Sequence, residues 1–362
     1  MADKKERIMD LLNRGIITND EALTLLENAG LDSAAGTEPK KSDKKTESTT
    51  DNAGYTNHKV DTGEAIKSTV NTVADKLVDT FKFVSKKVDD NIDFSKGWPK
   101  VKSIERSVEK DITEDFQAVS LDFGAAKVEV KPGYNAHVKI DYKIYGDVET
   151  ADSYLAENAK LEVVDGVLTI SGGKRIGAEL KLYLPERQYS RIATDILSGS
   201  VSFESVQADE LTLKLLNGEI KLDKANIHQL TVINKNGDVK VGAVKTEGLK
   251  IESVNGTIKF EGSFVNGDVS LVNGDIRLTE TTTLGRQLTV KNVNGDVKLA
   301  VPSALGLAGR AKTLFGGYKT RLHLDNPFET TRNGATLVRQ GAETLTFELE
   351  TKSGTIWLKD NE

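Results

Sequence analysis

The amino-acid sequence predicts a mainly β protein: a parallel β-solenoid with coils of about 19 residues and Asn-Gly turns, preceded by a small helical hairpin and a long amphipathic helix. Three observations predict it. Small turns recur at Ser198-Gly199, Asn217-Gly218, Asn236-Gly237, Asn255-Gly256, Asn273-Gly274 and Asn294-Gly295, with glycines spaced 19, 19, 19, 18 and 21 residues apart. The residues two and four places after each Asn-Gly glycine are apolar, as in Ile220/Leu222, Val239/Val241, Ile258/Phe260, Ile276/Leu278 and Val297/Leu299, and alternation at period two marks a half-buried strand. Ahead of the repeats, Ile66, Val70, Val73, Leu77, Phe81, Val84, Val88 and Ile92 step by three and four, the spacing of one helix face.

An Asn-Gly pair between alternating runs also signals a β-hairpin, because both central residues of a type I′ turn need positive φ. The competing fold is therefore an antiparallel meander. Near-constant period argues for stacked coils, since parallel stacking sets Asn on Asn and Val on Ile at every level, while a meander leaves its long connections free to vary. At about 4.8 Å per stacked strand, six coils make a core on the order of 25 to 30 Å long. One residue is missing from the fifth repeat, and the pattern places the gap between Phe260 and Val269.

In chain order, residues 1–31 read as a helical hairpin. Ile8, Leu11 and Leu12 mark its first face, Gly15 stops that helix, and Thr18 to Glu21 cap a second bearing Ala22, Leu25, Leu26 and Ala29. So few apolar residues cannot hold a hairpin alone, so it should dock on a partner, on another part of the chain or on itself. Residues 32–61 are Lys, Ser, Thr, Glu, Gly and Asp with little to bury, the composition of a disordered linker. Residues 62–97 form the amphipathic helix, whose stripe repeats after 11 residues and so runs nearly straight along the helix. Its lysines are offset by aspartates, so packing as a core or end cap stands beside membrane or partner contact. Residues 98–192 are an irregular β region, a half-sandwich or a set of imperfect coils. Residues 193–300 carry the regular repeats, and residues 301–362 a C-terminal β cap, which a solenoid end requires.

Composition narrows the function. The 362 residues contain no cysteine, which removes disulfides, thiolate metal sites and cysteine nucleophiles. A net charge of −6 and the lack of a basic arm argue against nucleic acid. The first residues are charged rather than apolar, and no run approaches membrane-spanning length, so cytoplasmic is the default expectation. His58, His137, His228 and His323 lie in unrelated segments without metal-ligand spacing. Gly172-Gly173-Lys174 lacks the other residues of a phosphate loop. Asn-Gly-Asp triplets at 236–238, 266–268, 273–275 and 294–296 should stack their carboxylates along one edge. Glu219 and Thr257 interrupt the series, so turn chemistry explains it better than calcium. The expectation is no catalytic residue, no metal, no cofactor and no enzymatic activity, with the turn residues Asn217 to Gly295 structural.

The opening run Glu6 to Ala22 with Leu25-Leu26 resembles the short helical amino-terminal domain of the LiaX and YvlB proteins of Gram-positive bacteria. The strand Leu180 to Pro185, the Asn-Gly-Asp-Val coils and the ending Glu350 to Ile356 are similar to the adhesin-type β-solenoid domain of that family. The resemblance implies a surface-associated envelope-stress protein that senses daptomycin or antimicrobial peptides and modulates LiaFSR signalling. Its implied partners are the membrane surface, antimicrobial peptides and envelope signalling proteins. A solenoid scaffold or adhesin that binds a protein or glycan is the alternative.

Overall fold

A computed structural model of the chain describes residues 103–146, 150–324, 329–331 and 334–361. The hairpin of 1–31, the linker of 32–61 and the whole stripe from Ile66 to Ile92 lie outside the described residues. The order begins β1 (Ser103–Asp111), β2 (Ala118–Gly133), β3 (His137–Tyr145), α1 (Ala151–Asn158), β4 (Lys160–Val164) and β5 (Val167–Pro185). The repeats follow as β6 (Gln188–Glu204), β7 (Gln207–Asp223), β8 (Asn226–Asn236), β9 (Val239–Asn255), β10 (Ile258–Asn273), β11 (Ile276–Glu280), β12 (Gln287–Asn294) and β13 (Val297–Val301). The chain closes with β14 (Gly306–Phe315), β15 (Tyr318–Arg321), β16 (Glu329–Thr331), β17 (Gly334–Arg339), β18 (Thr344–Ser353) and β19 (Ile356–Asp360).

The repeats are coils, not hairpins. β6 pairs with β7, β7 with β8, and β9 with both β8 and β10 in parallel, each residue facing its counterpart one period away. One inward column shows the result: Leu180, Val128, Val201, Ile220, Val239, Ile258, Ile276, Val297, Ile356 and Tyr318 stand on successive levels. All but Tyr318 are at most 1% exposed. Parallel stacking explains both periodicities in the sequence, since period two buries alternate side chains and a fixed coil length keeps like residues in contact.

Chain order and stacking order part company at both ends. β2 is inserted between β5 and β6, pairing in parallel with each. At the other end the last coil, β18 and β19, lies between β12–β13 and β14–β15. The irregular region therefore supplies two further coils, and the C-terminal cap supplies two more. Antiparallel strands cover the outer levels: β3 and β4 pair with β5, and β17 pairs with β14. β1, the strand beyond β3, carries Glu105, Arg106, Glu109 and Lys110, charges that discourage edge-to-edge pairing.

Both departures from the 19-residue period have local causes. The register shifts between Phe260 and Gly262, where Glu261 alone replaces the Gly242-Ala243 corner of the level below and Gly262 pairs with Val244. The missing residue thus lies at a coil corner within β10. The long 21-residue period accommodates the 281–286 loop. Buried Glu280 holds that loop, accepting hydrogen bonds from the Phe264 N–H at 3.1 Å, the Thr282 N–H at 2.8 Å and the Thr282 hydroxyl at 2.8 Å.

Candidate functional site

The surface built around the asparagine–glycine corner carries the most regular chemistry of the molecule. At each turn glycine the chain bends with φ between 127° and 138° from Gly199 to Gly295, a conformation L side chains rarely adopt. The levels also approach closely there. A Cβ on Gly256 would sit 2.2 Å from the carbonyl oxygen of Gly237, and one on Gly218 would sit 1.7 Å from that of Gly199. Glycine is thus required twice, by φ and by the level below.

The turn asparagines stack as a ladder on the solvent side. Asn236 donates to Asn217 at 2.7 Å, Asn255 to Asn236 at 2.7 Å, Asn273 to Asn255 at 2.9 Å and Asn294 to Asn273 at 2.9 Å, each from Nδ2 to Oδ1. From inside, buried Asn234, Asn292 and Thr351 and half-buried Thr313 satisfy the corner carbonyls. Asn234 donates to the Gly218 and Gly237 oxygens, Asn292 to that of Gly274, Thr351 to that of Gly295 and Thr313 to that of Gly354. A polar residue amid alternating apolar ones was the available signal for this inner column, and the sequence reading passed over it.

Charged rows flank the ladder. Glu219, Asp238, Asp275 and Asp296 occupy the position after the glycine, and their carboxylates bind their own scaffold: Asp238 accepts from the Thr257 N–H at 3.0 Å, Asp275 from the Asp296 N–H at 3.1 Å and Asp296 from the Thr355 N–H at 2.9 Å. Asp268 is a correction to the expected carboxylate edge. It pairs in register with Lys250 and Thr289 on another column, because the Asn-Gly-Asp at 266–268 lies in mid-strand rather than at a corner. Two positions further on, Lys221, Lys240, Lys259, Arg277 and Lys298 form a basic row that continues to Trp357 and Lys319. Lys240 bridges to Glu219 at 2.5 Å and Arg277 to Asp275 at 3.2 Å. The hydrogen bond from Lys240 holds the Glu219 carboxyl below the ordinary glutamate range, burial opposing it. Lys319 lies 4.2 Å from the centre of the Trp357 ring. Six cations, Lys319 included, face four carboxylates here, so most of the charge cancels and the rows offer little field to a polyanion.

On the other side of the ladder is an apolar row that the sequence reading missed. The residues preceding the turn pairs are Leu197, Leu216, Val254, Val272 and Val293, all half-buried on the outer face, with Lys235 between Leu216 and Val254 and Lys352 beyond Val293. Ile233, 8% exposed, packs with Leu216, Val254 and Val272 as a cluster separate from the solenoid core. The signal was a doubled apolar pair, as in Leu215-Leu216 and Leu271-Val272, which breaks strict alternation and puts one member outside. At the end of the row, Leu314 and Phe315 are 42% and 67% exposed.

The three described histidines stand apart from this surface, and His58 lies outside the described residues. His137 contacts Asp111 at 2.8 Å, His228 lies 3.3 Å from Asp209, and His323 contacts Asp360 at 3.0 Å. Gly172-Gly173-Lys174 runs inside β5, with Gly172 against Phe123. No group of three or more His, Asp or Glu side chains poised for a metal occurs among the described residues, and none of their helices is long and apolar enough to cross a membrane. The stripe from Ile66 to Ile92 lies outside the described residues.

No curated protein matches the chain. Among solved structures, a cell-adhesion-like protein from Clostridium sporogenes ATCC 15579 is 16% identical, with a TM-score of 0.25 over 71% of this chain and 100% of its own. An adhesin-like protein from Bacteroides fragilis NCTC 9343 is 12% identical, with a TM-score of 0.33 over 72% of this chain and 97% of its own. A third such protein, from Parabacteroides distasonis ATCC 8503, is 15% identical, with a TM-score of 0.28 over 71% and 98%. The Toastrack DUF4097 family matches residues 116–359, from the first buried aromatic of the stack to the last coil, and the chain belongs to that family.

Proposed function

We propose that this chain is a non-enzymatic scaffold of the bacterial envelope whose solenoid binds a protein partner along the apolar row beside the asparagine ladder. The observation that carries the reading is the row itself. Apolar side chains on an outer sheet face, gathered around Ile233 and apart from the core, mark an interaction surface more often than a fold requirement. From Leu197 to Val293 the row is aliphatic, with Phe315 only at its end, and the ladder amides are spent on one another, so its length offers sugars neither stacked aromatic platforms nor free amides. A protein segment with its own apolar face suits it better than a glycan. The likeness to LiaX and YvlB proteins supplies the setting, envelope stress, and the finer reading that binding reports antimicrobial peptides or daptomycin to LiaFSR-type signalling.

The test pairs location with binding. Cells are fractionated with and without an antimicrobial peptide, and the purified full chain is sedimented with cell-wall sacculi and with lipid vesicles. The scaffold reading expects the chain with the envelope, and expects Leu216→Lys with Val272→Lys to release it from protein-bearing envelopes while the fold is kept. Retention by protein-free sacculi, undiminished in that variant, would favour a glycan instead. A chain confined to the soluble fraction under both conditions would overturn the envelope reading.

A further inference from the structure

We propose that the column Asn217, Asn236, Asn255, Asn273 and Asn294 is a latent modification site, closed to intramolecular cyclisation while the coils are stacked and opened when they part. The reaction needs only water and a base. The glycine amide nitrogen loses its proton to base and bonds to Cγ of the preceding asparagine, the Cγ–Nδ2 bond breaks, and Nδ2 departs with a proton as ammonia. Water then opens the resulting succinimide at one carbonyl or the other, leaving aspartate or its β-linked isomer. Glycine after asparagine favours this step because no side chain shields the attacking nitrogen.

Two locks hold the column shut. The nucleophile is engaged: the N–H groups of Gly237, Gly256, Gly274 and Gly295 donate to the carbonyls of Asn255, Asn273, Asn294 and Ser353 on the next level, at 2.9, 3.1, 2.8 and 2.8 Å. The leaving amide is engaged as well, since Nδ2 of Asn236, Asn255, Asn273 and Asn294 each donates to the level below. Asn217, at the bottom of the ladder, has only the Leu197 carbonyl at 3.5 Å. The asparagines face solvent, so water and base already reach them and stacking is what protects them. Conversion is also self-propagating. It replaces a donor amide with a carboxylate beside Glu219, Asp238, Asp275 and Asp296, removes a rung and disfavours restacking.

The experiment incubates the full chain in mildly alkaline buffer, folded or in urea, and follows each Asn-Gly peptide by mass spectrometry. The expected result is a rate at Asn236, Asn255, Asn273 and Asn294 at least about tenfold lower in the folded chain, as for groups that react only through local opening. Asn255→Ser removes the acceptor of Asn273, and with the fold confirmed by circular dichroism it should speed Asn273 by roughly fivefold, the factor for one net hydrogen bond. Equal rates in folded and unfolded chain would overturn the proposal, and so would an unchanged Asn273 rate in the folded variant. If Asn255→Ser fails to fold, the folded-against-urea comparison of the wild type decides alone.

Discussion

A single methyl group at Gly256 should wedge two levels of the solenoid apart. The Cβ of Gly256→Ala would lie 2.2 Å from the Gly237 carbonyl oxygen and 2.6 Å from its carbon, with φ at +127°. The conformation alone costs about 1–3 kcal/mol for a residue with a side chain. Relieving the contact means moving the levels apart by more than an ångström. That weakens the Gly237 N–H bond to the Asn255 carbonyl at 2.9 Å and the Asn255–Asn236 rung at 2.7 Å, each worth about 1 kcal/mol net. Lower entropy of the unfolded chain returns about 0.4–1 kcal/mol. The net loss is about 2–4 kcal/mol, a fall in Tm of about 5–15 °C for a domain of this size. Two controls separate the causes. Gly166 has φ +73° but open space, so Gly166→Ala carries only the conformational cost. Gly317 has open space and no such φ, so Gly317→Ala should be neutral or slightly stabilising. Urea and thermal unfolding followed by far-ultraviolet circular dichroism measure all three. A folded Gly256→Ala within about 1 kcal/mol of wild type would refute the double requirement for glycine.

Three further outcomes follow from the structure. Arg339 is 4% exposed and ties the C-terminal end together through the Leu305 and Pro302 carbonyls and Asp360 at 2.5 Å; Arg339→Met should cost about 3–5 kcal/mol in urea unfolding by unpairing those carbonyls and leaving Asp360 to His323 alone, and adding Asp360→Leu should recover only part of it. Burial raises the Glu280 pKa above its ordinary 4.5, against hydrogen bonds from Thr282 and Phe264 that lower it. Its stabilisation is therefore complete below the unfolded value and lost as pH climbs through the raised one. Wild type should gain stability relative to Glu280→Gln on going from neutral to acid, and a constant difference in Tm would sink this. Deleting Leu230 to Gly248 joins Gln229 to Leu249 in register and should leave a folded stack one level shorter, whereas deleting half that length should not; equal behaviour of the two in unfolding would refute stacked repeats.

The period, the inward column and the Asn-on-Asn register were legible in the sequence, because parallel stacking demands the same residue type at the same coil position and writes itself as repetition. The value of each turn glycine was half legible. Asn-Gly announces positive φ, but the approach of the level below exists only between residues about 19 positions apart. The outer apolar row and the inner polar column were visible as breaks in alternation at Leu216, Val272, Asn234 and Asn292, yet a break alone does not say which neighbours it meets. The helix α1 went unread because eight residues between strands present too little periodicity.

By itself, then, the sequence determined the coil, its length and which side chains of the repeats face inward. Tertiary structure alone decided the order of the levels at the two ends. β2 slips between β5 and β6, and β18 slips between β12 and β14, because any coil of matching length and inward pattern satisfies the same hydrogen-bond ladder. A local pattern specifies how a level stacks; the lengths of the connections and the antiparallel strands that cover the ends select which level it stacks on.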